Sequence, residues 1–158
     1  REKKLEILKD PHCGAFAVIR LCTYFLAYFC VAFCIRFSPR VGLCWTLALV
    51  LERGLSGLAV AAFPMAKNTG LAHTFATAAD RESVKKILIV LSVLLAAALI
   101  ALGGGALVAA ALLVLWRYHH VAVKEFGGIT GDLAGWFLQK AEFWMLAALA
   151  ASQWGGIL

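Results

Sequence analysis

The stretch Gly14–Ile35, GAFAVIRLCTYFLAYFCVAFCI, is apolar almost throughout and carries a single charge, Arg20. A helix needs about 20 such residues to cross the hydrocarbon core of a bilayer, and this stretch has them. The rest of the chain agrees. Its 158 residues are 63% hydrophobic and only 15% charged, with a mean hydropathy of +0.86, whereas soluble domains run near half apolar and a quarter charged. One small core cannot hide that much apolar surface, so the membrane serves as solvent. Backbone exposed to lipid must satisfy its own hydrogen bonds, and period-two alternation is absent, so the spans are expected to be helices.

Working outward, Arg36, Ser38, Pro39 and Arg40 form a turn, and a second span covers Val41 to Phe63. After Pro64 the polar stretch Met65 to Lys86 reads as an extramembrane segment, a place for function. The run Ile87 to Trp116 is too long for one span, and Gly103, Gly104 and Gly105 divide it into two helices, each short for a full crossing. A last span is expected from Asp132 to about Ala151, entered through the glycine-rich segment Gly127 to Gly131. The predicted fold is all-α, a polytopic helical membrane protein with about five transmembrane helices, forming one integral membrane domain over residues 1–158.

Charges inside spans are costly and usually face the protein interior. Glu52 and Arg53 are adjacent and so point apart on a helix, which makes Arg20 the expected partner of Glu52. The basic residues Arg1, Lys3, Lys4, Lys9, Lys67, Arg81, Lys85, Lys86, Arg117 and Lys124 fall on one side of this topology, and only Arg36 and Arg40 on the other. The positive-inside rule places the richer side in the cytoplasm. The net charge of +6 suits anionic lipid or an anionic substrate.

On that face lie cations (Lys9, Lys67, Lys124), carboxylates (Asp10, Asp80, Asp132) and the turn Gly127-Gly-Ile-Thr-Gly-Asp132, which opens a helix. These are parts for holding a phosphate and a divalent metal. Helix N-terminal N–H groups favour anions, glycines admit close backbone approach, and carboxylates suit magnesium. The competing reading makes Gly131 and Gly135 a small-residue packing face, with Asp132 an ordinary N-cap. Asp132, Gly135, Gln139 and Glu142 share one helical stripe, with Glu142 expected to partner Arg53 or Arg20. The five cysteines show no metal or disulfide spacing. His119 and His120 read as interface anchors, and no histidine is assigned a metal.

Three stretches, in order, carry a resemblance to the cobalamin synthase (adenosylcobinamide-GDP ribazoletransferase) family. Arg1 to Gly14, REKKLEILKDPHCG, is similar to that family's R-x-x-x-L-E-I-M-[KR]-D-S-R-x-G at Leu5, Glu6, Ile7, Lys9, Asp10 and Gly14, with Pro11 and His12 departing. Glu52 to Leu71 resembles an Arg-containing helix followed by P-x-A-[RK]-x-x-G-L-G, matched by Arg53, Pro64, Ala66, Lys67, Gly70 and Leu71, with Ala72 in place of the last glycine. Phe126 to Glu142 resembles L-G-G-x-T-G-D-x-L-G-A-x-x-E-x-x-E at Gly127, Gly128, Thr130, Gly131, Asp132, Gly135 and Glu142, and departs at Ala134, Trp136 and Gln139.

The resemblance implies the C-terminal portion of a longer enzyme of the inner, cytoplasmic membrane. The family's N-terminal helices and acidic H-L-D-G-L-A-D-T-x-D-G motif would precede Arg1, so residues 1–158 alone are expected to be inactive. The implied reaction is the last step of cobalamin biosynthesis. α-Ribazole or its 5′-phosphate attacks the phosphoryl group attached to cobinamide in adenosylcobinamide-GDP, and GMP leaves. Mg2+ is the implied cofactor. Asp132 and Asp10 are the implied catalytic residues, and Asp132 and Glu142 the metal ligands. Lys9, Lys67, Arg53, Gly127, Gly128, Thr130 and Gly131 are the implied substrate contacts. No nucleic-acid partner is expected, and a homo-oligomer stays open. Rivals from other classes are a transporter or channel fragment lined by Arg20, Glu52, Arg53 and Glu142, a structural subunit whose basic loops bind lipid, and a CDP-alcohol phosphotransferase, whose own acidic signature is missing.

Overall fold

The computed structural model describes residues 2–7, 10, 12–66 and 80–158. A short helix α1 (Glu2–Ile7) leads into α2 (Ala15–Phe33), α3 (Pro39–Ala62), α4 (Arg81–Ala101) and α5 (Gly105–Val121). A single π-helical segment (Ala122–Phe126) then precedes α6 (Gly131–Trp154). Four of these helices are long and apolar enough to cross a membrane: α2, α3, α4, and α5 with its π-helical extension. The fifth long helix, α6, has the length but is more polar, because Asp132, Gln139, Lys140 and Glu142 interrupt it. The helices flanking the glycine turn are not short as expected. α4 begins at Arg81 and α5 continues through His119 and His120, so polar ends supply the length that the apolar run lacks.

Each boundary has a local cause. Ser38 accepts a hydrogen bond from the Val41 N–H at 3.2 Å and Pro39 occupies the first turn of α3, the residue types that a helix start favours. Between α4 and α5, Gly103 takes φ +88°, and the Gly104 N–H reaches back to the Leu99 carbonyl at 2.7 Å. This satisfies carbonyls at the helix end. Arg40 closes the same end of the molecule by donating from Nε to the Leu102 carbonyl at 2.9 Å. Gln153 exchanges hydrogen bonds with the Arg36 backbone there as well. The Arg36–Arg40 turn, the glycine turn and the C-terminus therefore share one end, as the topology predicts.

The core is built from small and apolar stripes. Cys44, Ala48, Leu51, Leu55 and Ala59 of α3 face Leu107, Ala111, Val114 and Tyr118 of α5 and Leu133, Phe137, Ala141, Met145 and Leu149 of α6, all buried. Spacings of three and four keep each set on one face, and the alanines let helix axes approach where lipid offers no hydrophobic drive to associate. α3 lies at the centre, packed against α4, α5 and α6, whereas α2 rests on α6 and has no buried residue.

At the other end, two loops are sewn together. The Ile129 N–H donates to the Pro64 carbonyl at 2.8 Å and the Ala66 N–H to the Ile129 carbonyl at 3.0 Å, a parallel bridge between Met65 and Ile129. Gly128 makes this possible. Its φ is +156°, and a Cβ there would lie 2.5 Å from the Ala66 nitrogen, the Met65 carbonyl carbon and the Pro64 oxygen. Gly128→Ala is expected to part the two loops and to cost about 1–3 kcal/mol in thermal unfolding of the membrane-embedded protein. Gly131→Ala, where a Cβ meets nothing within 4 Å, is expected to leave stability unchanged. Equal effects would contradict the close-approach argument.

Candidate functional site

The sewn loops place the end of α3 beside the entrance to α6. The π-helical segment, a widened turn of the kind often found at functional positions, ends at Gly127. Thr130 then starts α6 by accepting a hydrogen bond from the Leu133 N–H at 3.3 Å, so its oxygen is used as an N-cap and the residue is almost fully buried. The first N–H groups of a helix have no partner within it, and after Thr130 takes that of Leu133 those of the exposed Gly131 and Asp132 remain. Asp132 is exposed in the first turn of α6.

α1 docks on the same region. Lys4 Nζ donates a hydrogen bond to Glu125 of the π-helical segment. A few residues on, Asp10 Oδ1 accepts from the His12 N–H at 2.9 Å and lies 2.8 Å from the His12 Nδ1. Both contacts lower its pKa, the backbone donor more. The segments bearing the first and second motifs thus both contact the third. Lys9 and Lys67 lie outside the described residues. Asp80, also offered as a ligand, is engaged at the head of α4, where Ser83 Oγ donates to it at 2.6 Å and holds its carboxyl low.

The small-residue packing alternative does not match what surrounds the glycines, since a Cβ at Gly131 or Gly135 would meet no atom within 4 Å. The stripe they begin is covered only farther along, by α2. Tyr24 donates to the Gln139 carbonyl at 3.4 Å and Tyr28 to Glu142 Oε1 at 2.8 Å. Glu142 therefore pairs with a tyrosine, in place of the expected Arg53 or Arg20. The two tyrosines are one turn apart in an otherwise apolar span, a spacing that could have flagged them as donors facing a polar stripe.

The expected Arg20–Glu52 pair is not found. Arg20 is exposed on α2, and the buried Glu52 carboxylate lies 3.3 Å from Nε of its own neighbour, Arg53. An arginine side chain is long enough to curl back around the helix, which the Cβ directions alone do not reveal. Arg53 sits about 14 Å along α3 from Ala62 at 1.5 Å per residue, so it is not with the loops. Glu142 is likewise about 15 Å along α6 from Asp132. Among the described residues, no group of three or more histidine, cysteine, aspartate or glutamate side chains could hold a metal ion.

Known proteins resemble the chain over nearly its whole length. The family model described as CobS, cobalamin-5-phosphate synthase, matches residues 1–150. An adenosylcobinamide-GDP ribazoletransferase of Lachnoclostridium phytofermentans is 39% identical over 153 residues, 95% of this chain and 57% of that protein. One from Pseudomonas syringae pv. tomato is 30% identical over 151 residues, 95% of this chain and 61% of that protein. The chain thus spans about three-fifths of the length of the curated relatives it matches. No solved structure matches it significantly. With the family model covering all but the last turns of α6 and the C-terminus, and the family's three motifs on segments in contact at one end of the bundle, the chain belongs to the cobalamin-5-phosphate synthase family.

Proposed function

We propose that this end of the bundle is part of the active site of an adenosylcobinamide-GDP ribazoletransferase, working in the cytoplasmic membrane with the loops toward the cytoplasm. α-Ribazole, or its 5′-phosphate, attacks the phosphoryl group attached to cobinamide, and GMP departs. The observation that carries this reading is the backbone pairing of Pro64–Ala66 with Ile129. It brings the segment that continues into Lys67 against the Gly127–Asp132 turn. Transfer of a phosphoryl group needs mostly positioning and charge neutralisation; the head of α6 would offer the first and Lys67, next after Ala66 in sequence, the second.

The roles divide by chemistry. The N–H groups at the head of α6 receive phosphate oxygens, with Gly127, Gly128, Thr130 and Gly131 shaping the backbone around them. Lys9 and Lys67 neutralise the diphosphate. Asp10, held ionised by His12, is a weak base and serves better to orient a substrate hydroxyl or a cation than to remove a proton. Arg53, distant from the loops, supports the helix interior by its pairing with Glu52.

Magnesium fits in one respect only: Asp132 is an exposed carboxylate at the head of α6 and can give a divalent ion one ligand. Glu142, engaged by Tyr28 and about 15 Å farther along the helix, does not share that ion. The further ligands belong to a part of the longer relatives that this chain does not span. A bound ion would supply charge neutralisation to the phosphates, with Asp132 as one of its ligands.

Asp132→Asn, placed in a chain of the relatives' full length, is expected to lower turnover by about a hundredfold or more. Retained turnover at saturating magnesium in a folded variant would reject the ligand assignment. Lys67→Ala is expected to raise KM for the GDP-bearing substrate by about tenfold or more, the worth of one charged contact, with kcat less affected. An unchanged KM would reject the contact.

A further inference from the structure

A second feature of the bundle lies outside this site. On α6, Trp136, Lys140 and Trp144 are spaced i, i+4 and i+8, a stripe separate from that of Gln139 and Glu142. Across from them Leu113, Val114 and Arg117 of α5 complete a groove of about 530 Å³. Its chemistry is divided along its length. By helix rise, Arg117 and Lys140 lie at one level, with Trp136 on the loop side of them and Leu113, Ala110 and the exposed Trp144 on the far side.

Lys140 is about 13 Å into α6, on a segment read as spanning the bilayer, and among the described residues neither it nor Arg117 forms an ion pair. Two cations on a membrane-embedded face are costly without an anion. A ligand that satisfies the whole groove must be an elongated anion with a phosphate at one end and hydrocarbon at the other, and the bilayer supplies that molecule directly.

We propose that the groove between α5 and α6 is a binding site for an anionic phospholipid, its phosphate held between Arg117 and Lys140 and its acyl chain lying along Leu113 and Trp144. Basic pockets between transmembrane helices near the membrane surface take anionic headgroups. Long basic side chains reach up to the phosphate while their stems stay in hydrocarbon. The site does not depend on the reaction assigned above, and its test does not use that reaction.

The test compares the protein in vesicles of phosphatidylcholine with the protein in phosphatidylcholine mixed with phosphatidylglycerol, followed by native mass spectrometry of retained lipid. Phosphatidylglycerol is expected to stay bound where phosphatidylcholine is stripped, and Arg117→Gln with Lys140→Gln is expected to weaken its retention by about tenfold. Arg117→Lys with Lys140→Arg, which keeps both charges, is expected to retain it. Equal retention of the two lipids by the unaltered protein would overturn the proposal even if the glutamine variant failed to fold. So would displacement of phosphatidylglycerol by inorganic phosphate, which would mark a soluble anion as occupant. A photoreactive group at position 144 that captures another helix or a second copy in place of lipid would overturn it too.

Discussion

The arrangement of this protein's loops depends on one contact too close for a side chain. Backbone pairs with backbone where Gly128 passes Pro64–Ala66, and the two hydrogen bonds of Ile129 hold the ends of α3 and α6 in register. Met65, between the two paired residues, packs on the core that Leu133 and Phe137 of α6 share. The contact excludes every residue but glycine on space alone, and φ at +156° adds a conformation that side chains avoid. The phosphate site proposed for these two loops would need such a tie, because positional errors of an ångström are expensive in phosphoryl transfer.

Below the loops, two carboxylates of the bundle are met by nearby side chains. Glu142 accepts from Tyr28 across the α2–α6 contact, and Glu52 is met by its own neighbour, Arg53. The α2–α6 contact has no fully buried α2 residue and combines the tyrosine hydrogen bonds with packing of Tyr24 against Phe143. The helices α3, α5 and α6 use alanine-rich stripes, which suit close packing where lipid and leucine are equally apolar.

Much of this was legible in the chain itself. Apolar runs of bilayer length announced a helical membrane protein, Gly103 to Gly105 announced the turn between α4 and α5, and the Gly-Gly-Ile-Thr-Gly-Asp turn marked the start of α6. What sequence could not supply was partner choice in three dimensions. Arg20 was a reasonable mate for Glu52 by helix geometry, but the curl of Arg53 and the path of α2 over α6 decided otherwise. Helix lengths at the glycine turn were underread because polar residues such as Arg81, Glu82, His119 and His120 extend the helices beyond their apolar runs. The bridge between Met65 and Ile129 has no local signature, since it joins backbone to backbone across distant segments. Lys9 and Lys67 lie outside the described residues and keep their roles as proposals.

The most direct measurement is backbone hydrogen exchange at Ala66 and Ile129 in the membrane-embedded protein of the relatives' full length, with and without magnesium and a nucleoside-diphosphate ester. The account predicts that both amides exchange slowly together and that the ligand slows the two loops jointly, along with the head of α6. Independent exchange of the two amides, or protection by ligand that reaches neither loop, would contradict it.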